Sequence, residues 1–434
     1  MTDSTQKLGP VRLVPGVTRL NAAVYLFVAF AGIMLTTFVS VIQPYILNVN
    51  LGLPVEQQGR VSGDMVLYGE VVILLLSAVV GIAADRLGRR GVFSAGFILL
   101  ALGYTLYGYA YDVGSLAAVR IFLAVGIAVI NVMVAAVQAD YPQEESRGKL
   151  VGLTGFFIGL GAMFIGLGLA RMPYWFVGAG YTELEAGRMT MFSVAGVAVF
   201  LAVVVWFGLS KLNPASHDDD AGFLDGIKTG LKCAASNPRV ALAYGCAFVS
   251  RGDLVVVGTF YVLWLNQAGV AVGMTPDEAS KNAGLFFAMV MGSALFWAPV
   301  SGWLNDKLNR VSAMGLAMFI CAIGYGSMGL LPDPLGGWMY PAGVLLGIGQ
   351  MSAITASQTL IGQEAPSAQR GAVIGMFTFF GAAGVMFITF AGGRLYDAID
   401  PSAPFVLIGV VNAVLFGCAM LLRPKNKNTA AVNG

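Results

Sequence analysis

The chain has 434 residues, of which 57% are hydrophobic and 11% charged, and its formal net charge is +2. An ordinary soluble domain carries about 25% charged residues, so this composition argues against a soluble globular enzyme and a disordered chain. The near-neutral balance argues against a nucleic-acid partner.

Along the chain, the first 20 residues are polar and hold Lys7, Arg12 and Arg19. The apolar run that follows, 21–47, is too long for the core of a cleavable signal peptide and long enough to cross a bilayer. Eleven more such runs are expected, over 60–83, 91–111, 115–139, 149–170, 189–210, 238–266, 282–304, 312–331, 337–362, 371–393 and 403–422. Most connections are short turns. One longer connection, 171–188, holds Pro173, Trp175 and Glu183. Another, 211–239, holds Asp218, Asp219 and Asp220, then Lys228 and Lys232, and divides the segments six and six. An amphipathic surface helix is expected across 221–234. The resulting division is a first bundle at 1–210, a linker at 211–237, and a second bundle with a short tail at 238–434.

The 57 Gly residues fit closely packed membrane helices. Cys233, Cys246, Cys321, Cys418 and the lone His217 are too few for a disulfide framework or a usual metal cluster. The cysteines read as small packing residues, and neither a metal nor a cofactor is expected. With the N-terminus on one side, eighteen of the 25 Lys and Arg residues fall on that side. Arg60, Arg171, Arg188, Lys281 and Arg394 fall opposite, with Arg120 at the outer end of segment four, and Arg251 lies within the membrane. The positive-inside rule then makes both termini cytoplasmic. No Asn-x-Ser/Thr sequon occurs, which favours a bacterial plasma (inner) membrane.

The two halves repeat. Gly81, Asp85, Arg86, Gly88, Arg89 and Arg90 lie between segments two and three, and Gly302, Asp306, Lys307 and Arg310 lie between eight and nine. Asp140, Pro142 and Arg147 likewise match Glu364, Pro366 and Arg370. The offsets, 221 residues from Asp85 to Asp306 and 223 from Arg147 to Arg370, nearly agree. Two six-helix bundles of one topology, related by an axis along the membrane normal, are expected.

These motifs resemble those of the major facilitator superfamily over nearly the whole chain. The family's Gly-x-x-x-Asp-Arg-x-Gly-Arg-Arg/Lys loop is met at 81–90 and degraded at 302–310. Arg120 followed by Gly126 partly matches a second family motif, with Ala124 where its first Gly stands. The Gly-Pro pair of proton-driven drug antiporters is absent from segment five, and the sugar-porter signature is not seen. The resemblance implies an all-α membrane protein of twelve transmembrane helices. It implies a transporter, not an enzyme, working by alternating access, with segments one, four, seven and ten lining the cavity. Asp85, with Gly81, Arg86, Gly88, Arg89 and Arg147, then forms a latch that closes the cytoplasmic side. Asp306, Arg310 and Arg370 form its weaker copy.

Charges inside the apolar segments cost about 2.5–3.5 kcal/mol each at mid-membrane, so they point to function. Glu70 lies roughly 15 Å into segment two. Arg251 and Asp253 lie near the centre of segment seven, about 200° apart on a helical wheel, so one should face the cavity and the other a neighbouring helix. Glu70 or Asp253 is expected to carry a proton, with Arg251 as partner; the alternative is a structural ion pair. Asp64, near the outer end of segment two, reads as a solvated or gate residue. Polar stripes mark the cavity wall: Thr36, Ser40 and Gln43; Asn131 and Gln138; Gln350, Ser357 and Gln358. The expected partners are a small-molecule solute, protons and the lipid bilayer, and the chain is expected to act as a monomer. Arg251 suggests an organic anion carried by proton-coupled symport. The alternatives are a drug or amphiphile efflux antiporter and a non-transporting membrane receptor.

Overall fold

Among the described residues, twelve helices long and apolar enough to cross a bilayer stand where the hydropathy places them. The computed structural model describes residues 6–211, 223–366 and 369–423, the side chains of 223–226 and 254 apart. The first six spans are Arg19–Val49, Val55–Leu87, Arg89–Tyr107, Val113–Asp140, Glu144–Gly178 and Glu183–Gly208. The second six are Pro238–Ala271, Pro276–Lys307, Arg310–Leu330, Met339–Glu364, Arg370–Ala398 and Ala403–Leu422. Local chemistry sets their ends. Thr18, Asp112, Thr182 and Thr275 open the first, fourth, sixth and eighth spans with capping boxes. Gly88, at φ +90°, makes the turn between the second and third spans that a side chain would strain. The seventh span is interrupted: α-helix over Pro238–Val256, a π-turn at Val257–Tyr261, then α-helix over Val262–Ala271.

Helix pairing repeats with an offset of six spans. In the first half, spans 2 and 4, 3 and 4, 3 and 6, and 1 and 5 pack together. In the second half, spans 8 and 10, 9 and 10, 9 and 12, and 7 and 11 do the same. Between the halves, spans 2 and 11 pair, and so do their counterparts 8 and 5. The chain is therefore two pseudo-symmetric six-helix bundles facing each other across these two contacts.

The two ends of those contacts differ. The lysine- and arginine-rich end, from which the first span starts, is here called the basic end. At the opposite end the bundles touch at backbone distance. A Cβ placed on Gly63 of span 2 would lie 2.3 Å from the Thr389 carbonyl oxygen of span 11. A Cβ on Gly166 of span 5 would lie 1.9 Å from the Gly284 carbonyl oxygen of span 8. Only glycine allows this approach. At the basic end a Cβ on Gly81 of span 2, Gly371 and Gly375 of span 11, Gly152 of span 5 or Gly302 of span 8 would meet nothing within 4 Å among the described residues. The bundles are thus sealed at one end and parted at the other.

Three local features complete the fold. The longer connection at 171–188 contains a helix, Met172–Gly178, with Pro173 in its first turn, where a missing N–H costs nothing. It helps the seal, because Lys281 of span 8 lies 3.7 Å from the Tyr174 ring centroid. Helix Phe223–Ser236 covers most of the expected surface helix and packs on span 11. Asp218, Asp219, Asp220 and His217 lie outside the described residues. The polar N-terminal stretch folds into a hairpin, Lys7–Leu8 against Val11–Arg12, strapped over the connection between spans 4 and 5. Its main chain bonds Tyr141, Gln143 and Ser146, and Arg12 pairs with Glu145 at 2.9 Å.

Candidate functional site

A recess of about 200 Å³ lies at mid-depth between the bundles, lined by spans 1, 2, 4 and 7. Thr36 and Ser40 from span 1, Glu70 from span 2 and Asn131 from span 4 are on its wall, together with Thr37, Arg120, Gly258 and Thr259. Four sequence-predicted residues are therefore brought together. Thr36 and Ser40 share a face by their spacing of four, and Asn131 reaches the recess from the neighbouring helix.

The guanidinium groups of Arg251 and Arg120 lie within electrostatic reach of the Glu70 carboxylate. Arg120 is buried, 6% exposed, and its Nη2 donates to the Ser40 hydroxyl at 3.0 Å. Its Nη1 is buried with no hydrogen-bond partner among the described residues. The sequence placed Arg120 in the outer part of its segment, and the structure adds that it turns inward there. The span begins at Val113, so Arg120 lies about two turns in, on the inner face. Arg251 is exposed and packs against Gly381 of span 11.

Asp253 does not reach the recess. It is fully buried, and neither carboxylate oxygen has a hydrogen-bond partner among the described residues. The groups it acts on, Cys246, Cys321 and Tyr325, belong to spans 7 and 9 of the second bundle. The wheel angle fits the split: Arg251 is exposed beside span 11, off the recess wall, and Asp253 turns into its own bundle. Of the two carboxylates expected to carry a proton, Glu70 lies on the recess wall and Asp253 does not.

Other stripe residues are placed off the recess. Gln43 is fully buried, and the Tyr107 hydroxyl donates to its Oε1 at 3.4 Å. Its angle on the helix suits the cavity, but it lies three residues beyond Ser40, toward the sealed end. Gln138 is half-buried near the basic end of span 4. Gln350 and Ser357 are buried in span 10, and Ser357 bonds the Ile354 carbonyl of its own helix at 3.0 Å. The cause is packing: span 10 is held between spans 8 and 9. Gln358 is exposed beyond them.

The signature loop lies at the parted end. Asp85 pairs with Arg89 at 3.0 Å, and Arg89 Nε bonds Asp140 at 2.9 Å. Gly81 has open space where a Cβ would stand, Gly88 makes its turn, and Arg86 is exposed. Arg147, another of the expected latch residues, pairs with Glu144 at 2.9 Å. In the second copy Arg310 lies 3.7 Å from Asp306 and bonds Gln363 at 3.2 Å, while Arg370 bonds the Gly362 carbonyl at 3.3 Å.

The sealed end carries its own polar clamp. The Asp397 carboxylate of span 11 accepts the backbone N–H groups of Gly59 and Arg60 of span 2, at 2.8 and 2.7 Å. Arg394 of span 11 pairs with Asp64 of span 2 at 2.9 Å, which sets Asp64 at the contact between the bundles. Gln58 and Gln267 bond at 3.1 Å, and the Tyr396 hydroxyl donates to Gln267 at 2.6 Å. Sequence reasoning did not single out Asp397, Thr259 or the π-turn. A sequence signal at the π-turn is Gly258, a glycine inside an apolar run.

Known proteins agree with this architecture. The sequence model of the Major Facilitator Superfamily matches residues 24–389 and 271–433. Among curated proteins, the chain is 26% identical over 413 residues to "Magnetosome protein MamH" of Paramagnetospirillum magneticum, covering 93% of this chain and 92% of that protein. It is 25% identical over 427 residues to "Multidrug resistance protein 2" of Bacillus subtilis, covering 94% and 96%. Among solved structures, the nucleoside transporter NupG superposes with a TM-score of 0.71 at 12% identity, over 93% of this chain and 99% of that one. Twelve spans in two repeated bundles, the loop at 81–90 and the match over most of its length place this chain in the major facilitator superfamily of transporters.

Proposed function

We propose that the chain is a secondary active transporter that moves a small organic anion together with a proton by alternating access. The observation that carries this reading is Glu70, which shares a mid-depth recess between the bundles with Arg120 and has Arg251 as its other charged neighbour. Ionised, Glu70 neutralises one of two guanidinium groups. Protonated, it leaves both free for a negatively charged solute. Proton and anion are then bound together and released together, which is symport. Asp253, walled into the second bundle, takes no part in this exchange.

The basic end is read as cytoplasmic, in a bacterial inner membrane, so the gap there is an inward-facing opening. The Asp85–Arg89–Asp140 cluster is the part of the latch that remains assembled in the first bundle while the bundles are apart. On closure it would meet the second bundle and bias the equilibrium between states.

The test is uptake into proteoliposomes with and without an imposed pH gradient, for the wild type and Glu70→Gln. The expected result is gradient-driven accumulation by the wild type and none by the variant. Equal accumulation by both removes Glu70 from coupling. A second reading, export of amphiphilic cations, is favoured by the resemblance to a multidrug resistance protein. Ethidium extruded against its gradient by the same proteoliposomes would favour that reading over anion uptake.

A further inference from the structure

The π-turn at Val257–Tyr261 places one hydroxyl in an unusual position. Ser77, Thr105, Thr190, Ser193, Thr359 and Thr389, in other spans, each bond the carbonyl four residues back. That is the ordinary fate of a hydroxyl in a membrane helix. Thr259 does not follow it. Its side chain is 2% exposed, its Oγ1 has no partner among the described residues, and it lines the recess. A π-turn breaks the regular i→i−4 ladder and tends to occur at functional sites. Gly258 beside it, with open space where a Cβ would stand, leaves that wall uncovered.

A second unpaired donor belongs to another residue that lines the same recess. Arg120 Nη1 is buried without a partner among the described residues, while Nη2 is held by Ser40 at 3.0 Å. An unsatisfied hydroxyl and an unsatisfied guanidinium N–H are each costly in a membrane interior. Both are relieved by one acceptor group carrying negative charge. The recess, at about 200 Å³, is below the range of roughly 300–1,000 Å³ typical of drug-sized ligand pockets.

Resting on the transport reading above, we infer that Thr259 Oγ1 and Arg120 Nη1 form a two-point subsite for the carboxylate head of a small monocarboxylate. Arg120 supplies the charge, Ser40 fixes the guanidinium, and Thr259 supplies the second hydrogen bond from the opposing bundle. Because the two donors come from different halves, the bound acid spans the interface on which alternating access turns.

The test is equilibrium binding to purified, detergent-solubilised protein with no gradient present. Acetate, propionate, lactate and pyruvate are the probes, with propionamide as the neutral control. The variants are Thr259→Val, which keeps the shape and removes the hydroxyl, and Thr259→Ser, which keeps the hydroxyl. The wild type should bind at least one acid and not the amide. Thr259→Val should bind that acid about tenfold more weakly, and Thr259→Ser close to the wild type. Melting temperatures without ligand check that both variants fold. Unchanged affinity in Thr259→Val overturns the subsite, as does an amide that binds as tightly as the acids. Failure of the wild type to bind any of the four acids overturns it too. In each of these cases, proton-driven uptake of another solute that depends on Glu70 would leave the coupling reading standing.

Discussion

Spans 2 and 11 touch at one end and part at the other, and the two ends use different chemistry. At the sealed end the contact is backbone to backbone: Gly63 against the Thr389 carbonyl, and Asp397 on the N–H groups of Gly59 and Arg60. At the parted end, long charged side chains are paired within the first bundle: Asp85 to Arg89 and Arg89 to Asp140. The comparison teaches that the seal is made by close packing with a few satisfied polar groups. The signature loop is a cluster already assembled beside the gap. A transporter that alternates must be able to break the first contact and bring the second bundle up to this cluster.

The packing side of this comparison is the easier to break. Leucine at Gly166 has no room beside the Gly284 carbonyl, and spans 5 and 8 cannot close around it. Gly166→Leu is expected to lower transport by about tenfold or more. Cysteine-accessibility labelling of recess positions from the sealed end should rise. Labelling and transport like the wild type would show that this contact is not part of the seal.

The polar side of the seal comes next. Asp397→Asn weakens two charge-assisted hydrogen bonds to backbone N–H groups, a loss of about 1–2 kcal/mol. The balance of states should move by roughly tenfold toward opening at that end. Labelling from the sealed end should rise and labelling from the basic end should fall. A change in both labels in the same direction would instead indicate general loosening of the fold.

The smallest effect is expected at the latch. The Asp85–Arg89 pair is part-exposed, and such pairs contribute about 0.2–1 kcal/mol. Asp85→Asn should slow transport by about threefold and raise labelling of cavity positions from the basic end, with expression intact. Unchanged uptake together with unchanged labelling would reduce the loop to a determinant of topology.

The spans were legible because a bilayer demands about twenty apolar residues in a row, and the repeat was legible because Asp85 and Asp306 anchor two copies of one loop. The split of Arg251 from Asp253 also followed from helix geometry alone. What stayed hidden depends on neighbours. Gln43, Gln350 and Ser357 lie on polar stripes, but a helix inside a bundle is covered on several sides, so a stripe can face a partner helix as well as the cavity. The inward orientation of Arg120 was not legible, because it depends on its partner Ser40 in another span. The π-turn at Val257–Tyr261 has no periodic signature, and two-residue strands such as Lys7–Leu8 are too short to leave one.

Glu70 is where the account is most directly exposed. The deciding measurement compares the wild type and Glu70→Gln in the same proteoliposomes, first for accumulation of a carried acid under an inward-directed pH gradient, then for exchange with the gradient collapsed. Glutamine mimics the protonated carboxyl in shape but cannot release a proton. The account predicts that the wild type concentrates the acid, and more so as the outer pH falls. It predicts that Glu70→Gln shows no gradient-driven accumulation yet still exchanges acid for acid. Accumulation by Glu70→Gln equal to that of the wild type, with the same dependence on the gradient, would contradict it.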